Sequence, residues 1–250
     1  MNLIRYLKEL KYLRLYIISI VLVICLSYSV YLFFDDTIVE FLGEEDGFFE
    51  NLTAICFIAA TFLFFISYRR SKNILVLGLA VILFLGAGEE ISWGQRIFHF
   101  ETPAKIKSIN VQREFNIHNL EVFNDEDLHW VKKTGWKRFL EINMLYRIFS
   151  VTYLICIPFL FFHVKRRLIT NKKIKMPVAP FTLGIFFFIS WAIFYSIKYY
   201  LLAPGKVPSY YLSAGEIFEF TASYIYFTVA LYFYKRKDDK FLGEDIKNYI

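Results

Sequence analysis

Residues 73–96 read NILVLGLAVILFLGAGEEISWGQR, and this stretch decides the fold. From Ile74 to Gly88 every residue is apolar, and then two adjacent carboxylates, Glu89 and Glu90, close the run. Such a block reads as a membrane helix. A backbone in lipid must satisfy its own N–H and C=O groups, which a helix does and an open sheet edge does not. Working outward, five more apolar segments appear, and the predicted spans are 15–34, 51–68, 73–90, 145–163, 179–200 and 213–234. Each lies near the roughly 20 residues needed to cross a hydrocarbon core of about 30 Å. The expected fold class is all-α: a polytopic membrane helical bundle of six transmembrane helices, with 1–250 forming a single integral membrane domain.

Composition points the same way. The 250 residues are 57% hydrophobic and 20% aromatic, with 29 Phe and 18 Tyr, and the mean hydropathy is +0.43. Average soluble chains are about 45–50% apolar, so a disordered chain, a collagenous chain and an ordinary soluble enzyme are excluded. Cys25, Cys56 and Cys156 all fall inside apolar blocks, where neither a disulfide framework nor a cysteine zinc site is expected.

The distribution of the basic residues sets the predicted topology. Arg5, Lys8, Lys11 and Arg14 precede the first span, and Arg69, Arg70 and Lys72 form the turn after the second. Lys165, Arg166, Arg167, Lys172, Lys173 and Lys175 follow the fourth; Lys235, Arg236, Lys237, Lys240 and Lys247 follow the sixth. All four groups fall on one side of a six-span chain, which the positive-inside rule makes the cytoplasm. Both termini are therefore expected inside, and a long extracytoplasmic loop covers 91–144. The net charge of +6 is a topology signal; without a groove-reading motif, nucleic acid is not an expected partner. The first segment is too long for the core of a signal peptide and lacks an Ala-x-Ala-like site, so it reads as a retained span.

The opposite side collects acidic groups. Asp46 and Glu50 share a face at the start of the second helix, where carboxylates also act as helix caps. Glu89 and Glu90 stand at a helix C-terminus, where the macrodipole opposes them, so capping does not explain them. Arg96 is near enough in sequence to pair with one of the two. In the loop, Asn110-Val-Gln-Arg-Glu-Phe-Asn-Ile-His118-Asn119 keeps Glu114 and His118 together whether it is helical or extended. A carboxylate beside an imidazole orients it and raises its basicity, which suits a metal ligand or a general base. A polar loop folding back on the membrane would use the same residues structurally. Glu216 and Glu219 open the last span on one face, and Glu219, a turn deeper, is expected to face inward. Trp93, Trp130, Trp136, Tyr210 and Tyr211 read as an interfacial aromatic belt.

Glu45-Asp46-Gly47-x-x-Glu50, Gly88-Glu-Glu-Ile-Ser-Trp-Gly-Gln-Arg96 and Asn110-x-Gln-x-Glu-x-Asn-x-His-Asn119 together resemble a family of bacterial multi-pass inner-membrane proteins. The resemblance covers about residues 40–120 and, more loosely, the Glu216/Glu219 helix. It implies a bacterial inner (cytoplasmic) membrane location and brings no activity or ligand. The alkaline-ceramidase-like membrane hydrolases offer an analogy only, because this chain lacks their multiple-histidine pattern.

Three functions stay open at this point. One is a membrane enzyme with a divalent metal held by Glu89, Glu90, Glu114 and His118, acting on a lipid or lipid-linked substrate from the outer leaflet. There Glu90, His118 and Glu219 would carry the chemistry. Carboxylate-rich ligands favour Mg, Mn or Ca, and a Glu/His set also permits zinc. Asp46, Glu50, Trp93, Gln95, Arg96, Asn110, Gln112, Asn116, Asn119 and Glu216 complete the candidate site. The second is a proton- or cation-coupled transporter; the third is an envelope scaffold whose loop, with Asp125-Glu126-Asp127, binds a protein partner. No Walker-type or Rossmann glycine pattern suggests a nucleotide.

Overall fold

The computed structural model describes residues 3–44, 47–129, 131–163, 176–201 and 209–235, and these are all-α: no strand forms among them. Helix α1 covers Leu3–Phe33, and Asp35 then caps α2 (Asp36–Leu42), its carboxylate accepting from Ile38 N at 3.0 Å. Helix α3 (Phe48–Ser71) stops at Lys72, whose φ of 53° is left-handed. Asn73 restarts the chain as the cap of α4 (Ile74–Glu90), accepting from Leu75 N at 3.0 Å. A turn this short makes α3 and α4 an antiparallel hairpin. Small residues let the pair close, with Gly86 against the Phe57 ring and Thr61 reaching the Ala80 carbonyl.

Single helical turns at Gln95–Phe98 (α5) and Ala104–Lys107 (α6) break up the following loop. Helix α7 (Ile142–Val151) runs through a π-helical turn, Thr152–Cys156, into α8 (Ile157–His163). Pro158 accounts for the π turn: it has no N–H for the Leu154 carbonyl and its ring crowds that oxygen. The Leu154 carbonyl lies against Gly184 of α9 (Phe181–Ser196), where any Cβ would collide with it. A second π turn, Ile197–Leu201, extends α9, and α10 covers Ser209–Lys235.

Four of these segments are long and apolar enough to cross a membrane: Leu13–Phe33, Phe48–Ser71, Ile142–Leu160 and Phe181–Tyr199. Their outward faces carry exposed Leu22, Leu26, Phe62, Phe65, Leu160 and Phe188, as lipid-facing surfaces do. Helix α4 is shorter, at 17 residues. Helix α10 is the least like a lipid-facing span. It packs against α3, α9, α1 and α2, and Ala214, Ile217, Ala222, Ile225, Tyr226, Val229 and Ala230 are fully enclosed. Among the described residues no large exposed hydrophobic belongs to it. A helix shielded on all sides can carry Thr221, Ser223 and Thr228, because their hydroxyls bond backbone carbonyls or a neighbouring side chain. One such tie crosses three helices: Tyr28 Oη bonds Ser190, whose Oγ lies 2.5 Å from Thr221 Oγ1. It ends on the Phe218 carbonyl.

The 91–144 stretch is neither helix nor sheet for most of its length. Two isolated antiparallel bridges, Asn110 with Leu120 and Glu126 with Lys132, set its course. Ile142 N donates to the Phe123 carbonyl at 2.8 Å and ties the end of the loop to the start of α7. Trp136 is exposed, as an interfacial residue would be, whereas Trp93 is folded back onto α4, against the belt expectation. Trp130 and Asp46 lie outside the described residues, as do the side chains of Tyr210, Tyr211 and Arg96.

Candidate functional site

The site begins where α4 ends. Ser92, Trp93 and Gly94 take φ values of 44°, 52° and 83°, a left-handed run that reverses the chain just past the two glutamates. For Ser92 and Trp93 this conformation costs on the order of 1–3 kcal/mol each and persists only where its surroundings over-determine it. Here the surroundings are Glu89 and Gly88. The Trp93 indole folds over Gly88, where a Cβ would come within 3.0 Å of the ring, and its Nε1 donates to Glu89 Oε1 at 2.5 Å.

The other oxygen of Glu89 holds the loop. Oε2 accepts from Ile117 N at 2.6 Å and His118 N at 2.8 Å, and His118 Nδ1 lies 3.3 Å from the same atom. Glu89 is thus a staple between α4 and the 110–119 segment. The rest of that segment locks onto the reversed turn. Glu114 Oε2 accepts from Ser92 Oγ (3.0 Å) and Asn116 Nδ2 (2.8 Å). Gln95 accepts from Phe115 N and donates to Thr102 Oγ1. Asn110 donates to the backbone and side-chain oxygens of Asn116, and its own Oδ1 accepts from Glu114 N. Asn119 donates to Gln112 and accepts from Asn124. Asn110, Asn116 and Asn119 are almost fully buried, and each has its partners, as buried amides require.

Two expectations are corrected here. Glu114 and His118 do not pair: the chain turns at Arg113 (φ 65°), so neither helical nor strand spacing applies, and the carboxylate at His118 is Glu89. The four-donor metal set is not assembled either. Glu89 faces four hydrogen-bonding nitrogens, Glu114 faces Ser92 and Asn116, and no three His, Cys, Asp or Glu gather closely enough for an ion among the described residues.

Behind this interlock lies a second group. Glu50, buried in the first turn of α3, and Glu219, partly buried in α10, are within electrostatic reach of each other. His118 and Arg147 are also within electrostatic reach of Glu219, as Glu90 and Glu219 are of Tyr146. Glu216 is partly buried one turn before Glu219. Glu219 makes no hydrogen bond to any described residue, and neither does His118 Nε2. The loop therefore brings an imidazole, its inner nitrogen occupied, to the head of a bundle that carries a carboxyl group with no hydrogen bond.

Sequence reading passed over Ser92, Thr102 and Asn124, which complete the interlock, and Tyr146 and Arg147 on α7. Arg147 did carry a signal: an arginine inside an apolar segment is costly unless it faces a partner. Its Nη1 donates to Tyr195 Oη on α9 at 3.1 Å. Compared with protein-family models, curated proteins and solved structures, the chain matches none.

Proposed function

We propose that this is a six-span protein of a bacterial inner membrane, both termini cytoplasmic, carrying an acid–base site on its extracytoplasmic face. In that topology α4 and α10 complete the set of spans, and Glu50, Glu90, His118, Arg147 and Glu219 come to one depth. The reaction class is hydrolysis of an ester in a lipid or lipid-linked substrate approaching from the outer leaflet.

The observation that carries the reading is the division of labour at His118. With Nδ1 against Glu89, the proton-bearing nitrogen is fixed and Nε2 is left as the acceptor. Nε2 takes a proton from water as the water oxygen attacks the ester centre. Glu219, in its protonated form, gives its proton to the departing alkoxide, and the imidazolium then returns a proton through water to the Glu219 carboxylate. A carboxyl group at membrane depth, with no hydrogen bond to any described residue, fits the acid better than the base. Glu89 positions the imidazole and does not touch the substrate.

The test uses detergent-purified protein and a panel of short-chain acyl and phosphate esters. His118→Ala keeps the backbone N–H on Glu89, and Glu219→Gln keeps the side-chain shape, so both variants fold. Each is expected to lose on the order of 100-fold or more in turnover, the usual worth of a positioned acid or base. Turnover by both at the wild-type rate removes the reading.

A further inference from the structure

The molecule places cations where lipid-embedded chains avoid them. Arg147 stands in the first turns of α7 and Lys198 in the π turn that ends α9, both partly buried. They approach through one residue. Arg147 Nη1 donates to Tyr195 Oη at 3.1 Å, its guanidinium lies 5.9 Å from that ring, and Lys198 follows Tyr195 by three residues on the same helix. The Lys198 ammonium lies over the Phe194 ring at 5.6 Å. Lys132, exposed on the loop, is within electrostatic reach of Lys198, as is Arg147.

Two carboxylates are within electrostatic reach of this group, Asp125 of Lys198 and Glu219 of Arg147. Neither comes within the 4.0 Å of an ion pair, and Arg147 makes no hydrogen bond to a described residue beyond Tyr195. Gathering like charges in a partly dry setting is unfavourable unless an anion completes it. A planar guanidinium beside a point-charge ammonium matches the oxygens of a phosphate group. In the proposed topology the pair also stands at headgroup depth, in the outer turns of two spans. Tyr199, exposed and stacked on Tyr195 at 5.5 Å, leaves that flank open toward the lipid.

We propose that Arg147 and Lys198 form a seat between α7 and α9 for a phosphate ester, holding it beside Glu219. This rests on the acid–base reading of Glu219 and names the substrate class: a phosphate-bearing lipid, or a soluble phosphate ester with the same headgroup chemistry. Arg147 and Lys198 bind the phosphate oxygens; Tyr195 orients the guanidinium.

The experiment is binding, with no turnover needed. Full-length protein in detergent is titrated with short-chain phosphatidylglycerol and, separately, with inorganic phosphate. Arg147→Gln and Lys198→Gln are each expected to weaken binding about tenfold, while Arg138→Gln, an exposed residue 3.7 Å from Glu141, changes nothing. Loss of affinity for the lipid alone assigns the seat to a membrane lipid; a parallel loss for inorganic phosphate assigns it to the phosphate itself. Should either span variant fail to fold, Tyr195→Phe, which removes only the hydroxyl that holds the guanidinium, still weakens binding several-fold. Equal affinity of the wild type and the folded variants for both probes overturns the seat, as does a wild type that binds neither. The Glu219→Gln variant separates the two proposals: it retains phosphate binding if the seat is right, whatever becomes of turnover.

Discussion

Replacing Glu89 by Gln is the sharpest probe of the interlock, because it keeps the shape and changes only what the two oxygens can do. In the native turn Oε1 accepts from Trp93, and Oε2 accepts from two backbone amides with the His118 ring beside them. An amide has one accepting oxygen. If it is turned toward Ile117 and His118, its NH2 faces the Trp93 N–H; if it is flipped, its NH2 faces both backbone N–H groups. A charge-assisted hydrogen bond is worth roughly 1.5–3 kcal/mol and a neutral one about 1. In the better orientation, two bonds fall to neutral strength and one is lost. With the Glu89 side chain only 16% exposed, water replaces little of this. The expected cost is about 3 kcal/mol, localised in the loop, or about a hundredfold rise in local opening. Native-state hydrogen exchange reads it directly: the Ile117 and His118 amides should lose about two decades of protection, while amides in the middle of α10 keep theirs. Unchanged protection at Ile117 and His118 would refute the staple.

Further outcomes follow from the packing and the loop. Gly184→Ala sets a methyl group against the Leu154 carbonyl and should cost about 1–3 kcal/mol, seen as a lower melting temperature in detergent. Gly78→Ala, where a Cβ meets nothing within 4 Å, should leave the melt unchanged or raise it slightly. At the loop tip, the amides of His129 and Val131 donate to the Asp127 carboxylate and hold its carboxyl below the usual range. Its support of the turn is therefore complete above about pH 4, the unfolded value, and lost as the pH falls through the lower folded value. The Val131 amide shift should follow this titration and lose it in Asp127→Asn; a wild-type midpoint at or above pH 4 would contradict it.

The helices were legible in the sequence because lipid leaves the backbone one economical solution, and the 73–90 block announced it. The short turn after α3 was equally open, marked by Arg69, Arg70 and Lys72, whereas the Asn73 cap emerged only with the structure. The centrality of α10 was not. Its Ser and Thr hydroxyls find partners within the bundle, and no spacing in the sequence announces that enclosure. At the site, the motif residues were legible and their pairing was not. Spacing arguments assume a regular backbone, and the left-handed residues at 92–94 and 113 abolish that regularity. His118 consequently finds its carboxylate 29 residues away in sequence. A long-range partner of this kind leaves no periodic trace, whereas Arg147 and Lys198, single charges in apolar runs, stand out in the sequence.

The enclosure of α10 also bears on how the chain is made. A ribosome delivers α1, α3 and α9 before the helix around which they pack, so the face that each will turn to α10 has no protein cover until then. That is tolerable for Ile20, Phe64 and Phe187, which are as comfortable with acyl chains as with protein. Ser190 has Tyr28 of α1 as an early partner, and its second one, Thr221, follows only with α10. Closure of the bundle is therefore a late event, completed when α10 docks among α1, α3 and α9. Substitutions that slow this step should be felt as degradation of newly made protein, even where the finished molecule would be stable.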